Sequence, residues 1–161
     1  MEGARPVLES DVPDIARLWR AALSELDGQR GGALLADSLT RPGPLEPTIS
    51  RMLADPDRLL VVGTLDEVAV AFGSCFLDHQ RPRRIGVVEM LYVDPAARQV
   101  GVGEAMLDSL VRWCEQHGCA GMDAPALPGS RQSKAFFEGH GFVARLLVMH
   151  HPLGSSSSSS G

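Results

Sequence analysis

The sequence predicts a single α/β (α+β) domain with a mixed, mostly antiparallel sheet flanked by helices. Two observations predict this fold class. The apolar runs 59–65 and 68–77 are separated only by Asp66-Glu67, a pattern typical of an antiparallel hairpin. Residues 87–118 have the pattern of a strand, a turn and a helix, and a fifth strand over 119–124 follows. Because strand–helix–strand crossovers are right-handed, these last two strands are expected to be parallel.

The length and composition are those of one globular domain. The 161 residues are 44% apolar and 22% charged, which is ordinary for a globular protein with a sizeable core. We expect this domain to span residues 1–153. Residues 154–161 are six serines between glycines and offer nothing to bury, so we expect a disordered tail there.

Composition also argues against several kinds of partner. No apolar run approaches the roughly 18 residues of a membrane helix, and the N-terminus lacks the apolar core of a signal peptide. A formal charge of −5 and a single lysine argue against nucleic acid. The three cysteines have no C-x-x-C spacing, so we expect reduced thiols and no metal site. We therefore expect a cytoplasmic protein without membrane, nucleic-acid or metal partners.

The N-terminal region is expected to contribute a short strand over 5–9 and then a helix. Asp11 is the predicted N-cap, with Pro13 in the first turn, and Gly28 ends the helix. A helix to about residue 26, with Trp19 in the core, is predicted from the apolar stripe of Ile15, Leu18, Trp19, Ala22 and Leu26.

Residues 27–45 are predicted to be irregular. Helix and strand periodicity is interrupted there by Gly28, Gly31, Gly32, Pro42, Gly43 and Pro44. A loop this long in a compact domain is often functional or mobile. A short helix over 47–54 is expected to follow it.

The most informative stretch is the strand, turn and helix over 87–118. The strand, 87–93, holds three valines, a tyrosine and only one charge, which suits a strand covered on both faces. The helix, 103–117, is predicted from a single apolar stripe, and Gly118 is a suitable residue just past its end. The stripe consists of Met106, Leu107, Leu110, Val111 and Cys114.

The turn before this helix is predicted to bind a phosphate. Residues 98–103 offer no Ser, Thr, Asp or Asn to cap the first helical N–H groups. Gly101 and Gly103 leave the backbone accessible, the helix dipole favours an anion, and Arg98 adds positive charge. The alternative is a turn whose glycines serve only tight packing. A dinucleotide fingerprint is disfavoured because Met106 stands where a third glycine is needed, and no Walker A Gly-Lys-Ser/Thr is present.

Two motifs resemble those of the GNAT superfamily of N-acetyltransferases. The first is E-x-L-x-V over 89–93 followed by R-x-x-G-x-G over 98–103, which resembles the acyl-CoA-binding motif. The second is S-R-Q-S-K-A-F-F-E-G-H-G-F over 130–142, which resembles N-x-x-A-x-x-F-Y-E-K-x-G-F. It departs at Ser130, in the asparagine place, and at Phe137, in the tyrosine place. The resemblance covers about residues 4–151 and includes a helix over 130–140 and a last strand over 142–150.

The resemblance implies a GNAT fold, in which the two parallel strands splay and the acyl-CoA arm lies between them. It implies acetyl-CoA as cosubstrate and an amine of a small molecule or protein as acceptor, with residues 27–45 covering the acceptor site and a homodimer possible. The backbone amide of Leu91 is expected to stabilise the oxyanion. The residues expected to bind the cosubstrate are Leu91, Tyr92, Val93, Arg98, Gln99, Val100, Gly101, Val102, Gly103, Glu104, Ser130, Ser133 and Phe137.

Acetyl transfer to an amine also needs a base and benefits from an acid. Glu89, the one acid in an apolar strand, is the candidate base, because burial favours the neutral form of a carboxyl group and makes it a usable base. The alternative is a glutamate held by an arginine. Phe137 has no proton to donate, and strand alternation puts Tyr92 on the opposite face from Glu89. Ser133, His140 or solvent are the remaining donors.

Two other functions remain open at this point. The missing tyrosine favours a CoA-binding sensor or regulatory module with little catalytic activity. A phosphate- or nucleotide-binding domain is the third alternative, disfavoured by the absent third glycine.

Overall fold

The computed structural model describes residues 1–80 and 82–154. The expectation of a disordered tail therefore falls, from residue 155 on, outside the described residues. None of the helices in the described part is long and apolar enough to cross a membrane. The main elements are, in chain order, β1 (Glu2–Pro6), α1 (Val12–Leu26), α2 (Gly32–Leu39), α3 (Leu45–Leu53), β2 (Arg58–Leu65), β3 (Val68–Asp78), β4 (Ile85–Val93), α4 (Val102–Gln116), β5 (Gly121–Asp123) and α5 (Arg131–Gly139). Two short 3-10 helices, Glu9–Asp11 and Pro95–Ala97, precede α1 and α4.

The five strands form one sheet in the order β1-β2-β3-β4-β5. The first three neighbouring pairs are antiparallel, and β4 and β5 are parallel, which confirms the predicted mixed sheet. The hairpin turn places both Asp66 and Glu67 in the left-handed region, at φ of 49° and 67°, which matches the right-handed twist of the flanking strands. β5 pairs with β4 only from Ile85 to Val87, so the rest of β4 has an open edge on that side within the described residues.

A hydrophobic cluster lies on each face of the sheet. One, the α1-side cluster, contains the stacked rings of Trp19 and Phe72, whose centroids are 5.8 Å apart. The other, the α4-side cluster, contains Val88, Met106 and Leu110. Full burial of each large apolar side chain stabilises the fold by about 1.5–3 kcal/mol. Trp19 is fully buried, as predicted.

The N-terminal half differs from the sequence prediction in three ways. The first strand begins at Glu2, and Asp11 does not cap α1: its carboxylate accepts a hydrogen bond from the Leu8 N–H at 2.8 Å and pairs with Arg5. The segment predicted to be irregular contains α2, which begins after Gly31 in the left-handed region at φ 77° and buries Ala36 and Leu39. The glycines and prolines around this short helix masked its apolar spacing.

The predicted last strand over 142–150 is wrong for this structure. Residues 142–153 carry no helix or strand, and β5 is only three residues long. A strand forms where a neighbouring strand satisfies its backbone, and in the described chain nothing pairs with this stretch. Its apolar side chains are 67–84% exposed, namely Val143, Leu146, Leu147, Val148 and Met149.

Candidate active site

A β-bulge in β4 shapes the site. Ser74 of β3 is paired with Met90, but the next residue, Cys75, is paired with Val88, so Glu89 is an extra residue in β4. Val88 packs in the α4-side cluster, whereas Met90 lies in the α1-side cluster. The bulge therefore changes which side chains of β4 face each helix layer, as bulges near functional sites often do.

The bulge overturns the expectation that Tyr92 and Glu89 lie on opposite faces. Tyr92 packs against the α1-side cluster. Glu89 is ion-paired to Arg41, whose guanidinium lies 5.9 Å from the centroid of the Trp19 ring in that same cluster. Strict alternation fails because Glu89 is itself the extra residue of the bulge.

A cavity of about 640 Å³ lies beside the second half of β4. Its walls come from β4, the turn before α4, α5, and residues of α1 and α2 such as Glu25, Leu35 and Leu39. The cavity brings together most of the residues predicted from the sequence: Glu89, Leu91, Tyr92, Val93, Arg98, Gln99, Gly103, Glu104, Ser130, Ser133 and Phe137. It is thus lined by the strand, the turn and the second motif at once.

Three predicted cosubstrate residues are not among those that line the cavity. Val100 is 43% exposed on the turn, and Val102 is buried in the α4-side cluster. Gly101 precedes α4 with φ at 89°, a left-handed conformation that glycine adopts without strain. The side chains of Val100 and Val102 lie outside the cavity, and the backbone N–H groups of all three residues remain the candidate contacts with a phosphate.

The start of α4 has the features expected of an anion site. No side chain among the described residues caps its first N–H groups. A Cβ added at Gly103 would meet the Phe136 ring at 3.5 Å, so the glycine leaves space on the cavity side. On β2, a Cβ at Gly63 would lie 2.5 Å from Val102, so that glycine lets α4 begin close to the sheet.

Arg98 is bound to protein groups at this turn. Its terminal nitrogen donates to both carboxylate oxygens of Glu25, at 2.6 and 2.8 Å, and its Nε donates to the Val93 carbonyl at 3.0 Å. Its guanidinium also lies 5.9 Å from the centroid of the Tyr92 ring. Arg98 therefore joins the turn to the end of β4 and to α1, with much of its charge balanced by Glu25. Nothing in the sequence of α1 marks Glu25 for this contact.

Glu89 is nearly buried, with 9% of its side chain exposed, and it is ion-paired to two arginines. Arg41 comes from the connection between α2 and α3, and Arg58 is the first residue of β2. Arg58 also lies 3.9 Å from Asp55. The arrangement agrees with the alternative of an arginine-held glutamate, and sequence spacing gave no sign of either partner.

The second motif places its small polar groups in the cavity wall. The Ser133 N–H donates to Ser130 Oγ at 3.4 Å, which caps α5, and the Ser130 hydroxyl donates to Ser133 Oγ at 2.9 Å. His140 is exposed, and its Nδ1 lies 2.6 Å from the Phe136 carbonyl. Of the two donors weighed from the sequence, only Ser133 lines the cavity.

The aromatic residues of the site differ in their chemistry. Phe137 is buried, and its ring centroid lies 5.4 Å from that of Phe136 and 5.2 Å from that of Phe142. Burial, and next the nearby charge of Glu25, raise the pKa of Tyr92 above its ordinary value. Tyr92 therefore stays protonated at neutral pH.

Solved structures share this architecture at low sequence identity. The chain is similar to an acetyltransferase from Trypanosoma brucei, with 23% identity and a TM-score of 0.68 over 95% of this chain and 100% of that one. It is similar to AAC(6')-Iy in complex with the bisubstrate analogue CoA-S-monomethyl-acetylneamine, with 20% identity and a TM-score of 0.69 over 96% and 99%. It is also similar to a predicted acetyltransferase from Clostridium acetobutylicum with acetyl-CoA, with 15% identity and a TM-score of 0.71 over 94% and 96%.

These likenesses show a shared fold. No curated protein matches the chain. A family model does match it, that of the Acetyltransferase (GNAT) family, over residues 17–142. This match spans both motifs, the bulged strand and most of the cavity wall. The chain belongs to the GNAT acetyltransferase family.

Proposed function

We propose that this protein transfers an acetyl group from acetyl-CoA to a primary amine of a small molecule or protein. The observation that carries the proposal is the meeting of three features in one cavity: the open edge of β4, the uncapped start of α4 and the carboxylate of Glu89. Family membership supports acetyl transfer. The geometry of the described residues supports our assignment of the residues that bind acetyl-CoA and receive the proton of the amine.

The residues present fit acetyl-CoA. The uncapped N–H groups at the start of α4 suit its pyrophosphate, with the backbone of residues 99–104 around it. The open edge of β4, from Leu91 to Val93, suits the amide groups of the pantetheine arm. The Leu91 N–H is our candidate oxyanion donor, since a backbone amide can stabilise the charge that develops on the thioester carbonyl.

Glu89 is our candidate proton acceptor for the amine. An amine reaches the cavity largely as an ammonium ion and must lose a proton before it attacks the thioester. A nearly buried carboxylate at the cavity wall attracts that cation and accepts the proton, directly or through a water molecule. Arg41 and Arg58 hold the Glu89 carboxylate in place through their ion pairs, so we assign them positioning roles.

The departing thiolate has no tyrosine donor at Phe137. Ser133 and Tyr92 line the same cavity with hydroxyl groups, and solvent enters the cavity from its open side. We propose that Ser133 or solvent protonates the thiolate.

We assign the acceptor to the end of the cavity lined by Leu26, Leu35 and Leu39, with the Glu89 carboxylate in the same wall. Apolar side chains and carboxylates together suit an amine that carries an apolar or hydroxyl-rich body. Two structural neighbours are described with aminoglycoside-type ligands, the bisubstrate analogue named above and sisomicin, which makes such amines the first acceptors to try. Three free cysteines agree with our proposal of a cytoplasmic protein.

A CoA-binding regulatory module with little turnover is the second candidate. Phe137 in the usual tyrosine place and the double ion pair of Glu89 favour it. The deciding experiment is acetyl-CoA binding by calorimetry, followed by slow thioester hydrolysis in the same sample without an acceptor. Binding with hydrolysis supports the transferase, tight binding with an inert thioester supports the regulatory module, and no binding contradicts both.

A further inference from the structure

A second cavity, of about 370 Å³, adjoins the one described above. The two cavities share four lining residues, Leu35, Leu39, Glu89 and Pro125. Glu89 therefore lies at the boundary between them. A molecule that presents one group to Glu89 in the first cavity can extend the rest of its body into the second.

The second cavity carries more positive than negative charge. Its wall contains Arg41 and Arg58, and Glu89 is its one acidic residue in the part of the chain that the structure describes. Both guanidinium groups pair with this single carboxylate. The carboxylate of Asp55 lies 3.9 Å from Arg58, beyond hydrogen-bond distance, and its side chain is 46% exposed. One carboxylate balances only one of the two arginines, so the cavity wall keeps an excess of positive charge.

Both arginines are held in place and remain partly accessible. The side chain of Arg41 is 30% exposed and that of Arg58 is 18% exposed. Arg41 donates to the Ser38 carbonyl at 2.8 Å, and the guanidinium of Arg58 lies 5.2 Å from the centroid of the Phe76 ring. These two contacts orient the guanidinium groups without neutralising their charge. An oriented guanidinium group matches the two oxygens of a carboxylate.

The rest of the wall is largely apolar. It consists mainly of Leu35, Leu39, Phe76, Val87 and Val88. Ligand cavities with such a wall bind apolar bodies and use a few polar groups to fix the orientation of the ligand. The molecule that suits this cavity therefore has an apolar body and an anionic group.

We propose that the acceptor is a small amine that also carries a carboxylate, as an amino acid does. This inference rests on the proposed function and goes further by assigning the charge of the acceptor. The ammonium group is attracted by Glu89 and faces the first cavity, whereas the carboxylate pairs with Arg41 and Arg58 in the second. The two arginines thus contact the acceptor in addition to positioning Glu89. Polycationic amines and lysine side chains lack a carboxylate near the amine and are disfavoured.

The reaction on such an acceptor is an ordinary acetyl transfer. The ammonium group first gives up a proton to Glu89, directly or through water. The nitrogen then forms a bond to the acetyl carbon while the C–S bond of the thioester breaks, and the thiolate takes a proton from Ser133 or solvent. The products are an N-acetyl amino acid, free CoA and one released proton.

A matched pair of acceptors tests this proposal on the unaltered full chain. Leucine and leucinamide share the amine and an apolar side chain that suits the cavity, and they differ in the carboxylate. With acetyl-CoA as donor, we expect kcat/KM to be at least about tenfold higher for leucine, because charge-assisted hydrogen bonds form only with its carboxylate. The amine of leucinamide loses its proton more readily, so a preference for leucine cannot come from the reactivity of the amine alone.

Calorimetry on the CoA-saturated protein separates this inference from the proposed function. We expect leucine to bind about tenfold more tightly than leucinamide. Tighter binding of leucine without any acetylated product would mean that the proposed function fails while the carboxylate site stands. Equal or tighter binding of leucinamide, or no binding of either, overturns the inference. A higher kcat/KM for sisomicin or for a lysine in an end-blocked peptide also overturns it and leaves the proposed function intact.

A variant checks the contribution of the arginines. In Arg58→Gln we expect the preference for leucine to fall to about twofold or less, because a guanidinium donor is lost, with the acetyl-CoA Kd unchanged. Arg51→Gln is the matched control, since Arg51 is exposed, donates to Thr48 Oγ1 at 3.0 Å and lines neither cavity. A full preference for leucine in Arg58→Gln overturns the proposal. If this variant does not fold, the comparison of leucine with leucinamide on the unaltered chain still decides.

Discussion

Arg41 is ion-paired to Glu89, whose side chain lines the cavity. Arg41 belongs to the connection between α2 and α3, and Glu89 is the bulged residue of β4. The pair therefore ties the connection between α2 and α3 to the strand that carries the candidate base. The stacking of Arg41 on Trp19 extends this connection into the core.

Arg41→Ala is expected to weaken acceptor binding and leave acetyl-CoA binding unchanged. Without this ion pair the connection between α2 and α3 is held less firmly, and we expect the acceptor KM to rise about fivefold, the equivalent of about 1 kcal/mol. Steady-state kinetics and calorimetry measure the two effects. Arg20→Ala, which removes an exposed arginine paired with Glu46 at 3.1 Å, is the control. A rise in acetyl-CoA Kd instead would place Arg41 on the cosubstrate.

Glu89→Gln is expected to lower turnover about 100-fold, because loss of a general base has an effect of this size. The acetyl-CoA Kd is expected to change less than about twofold, because the substitution leaves the proposed cosubstrate contacts in place. Glutamine keeps the shape and one acceptor oxygen for the arginines, so the fold should persist, which thermal unfolding checks. Turnover at the original level across the whole pH profile would remove Glu89 from the chemistry.

Gly103→Trp is expected to abolish acetyl-CoA binding, because an indole would fill the space beside the start of α4. Gly103→Ala is the matched control. An added Cβ would make only ordinary contacts, 3.5 Å from Phe136 and 3.7 Å from Val93, so we expect a small change in Kd. Calorimetry on both variants gives the answer, and undiminished affinity in the tryptophan variant would contradict the phosphate turn.

Phe137→Tyr is expected to raise turnover about tenfold, because the added hydroxyl group can act as a general acid. General acids commonly accelerate a reaction by about 100-fold or more when departure of the leaving group limits the rate. Phe137 lines the cavity, so an added hydroxyl group can face the reacting sulfur. Phe142→Tyr, on the ring that packs against it, serves as control. Equal rates for both variants would mean that thiolate departure does not limit turnover.

Alkaline pH is expected to destabilise the fold through Cys114. Its Sγ lies 3.5 Å from that of Cys75, and this hydrogen bond, together with burial, raises the pKa of Cys114 above its ordinary value of 9.0. The folded state therefore favours the neutral thiol, and its stabilising effect is complete below pH 9.0 and is lost as pH rises further. Above that pH the free energy of unfolding should fall more steeply for the original chain than for Cys114→Ala, by up to about 1.4 kcal/mol per pH unit. Urea unfolding as a function of pH measures both slopes, and equal slopes would contradict the prediction.

The parts of the molecule that the sequence predicted are those that local spacing determines. The hairpin around Asp66 and Glu67, the stripe of α4 and the uncapped turn at Gly101 each depend on residues close together in the chain. Their side chains and backbone preferences are enough to specify them. For the same reason, eleven of the residues that line the cavity had been singled out from two contiguous motifs.

The contacts that the sequence did not predict join distant positions. The bulge at Glu89 depends on how β3 and β4 pair, and a single inserted residue changed the side on which Tyr92 lies. The partners of Glu89 and Arg98 are separated from them by 31 to 73 residues, and no periodicity relates such positions. The prediction of a last strand over 142–150 was wrong because strand propensity does not determine whether a free sheet edge is available for pairing.

The two core clusters on opposite faces of the sheet have a consequence for how this enzyme family can diversify. The acceptor end that we propose lies on the α1 side, beside α1 and α2, whereas the phosphate turn that we propose leads into α4, which packs on the other side. Mutations that reshape Leu35 or Leu39 therefore leave the packing of Val102 and Met106 intact. Substitutions at sites without shared neighbours are close to additive, so selection can alter the choice of amine step by step without weakening the hold on the acetyl donor.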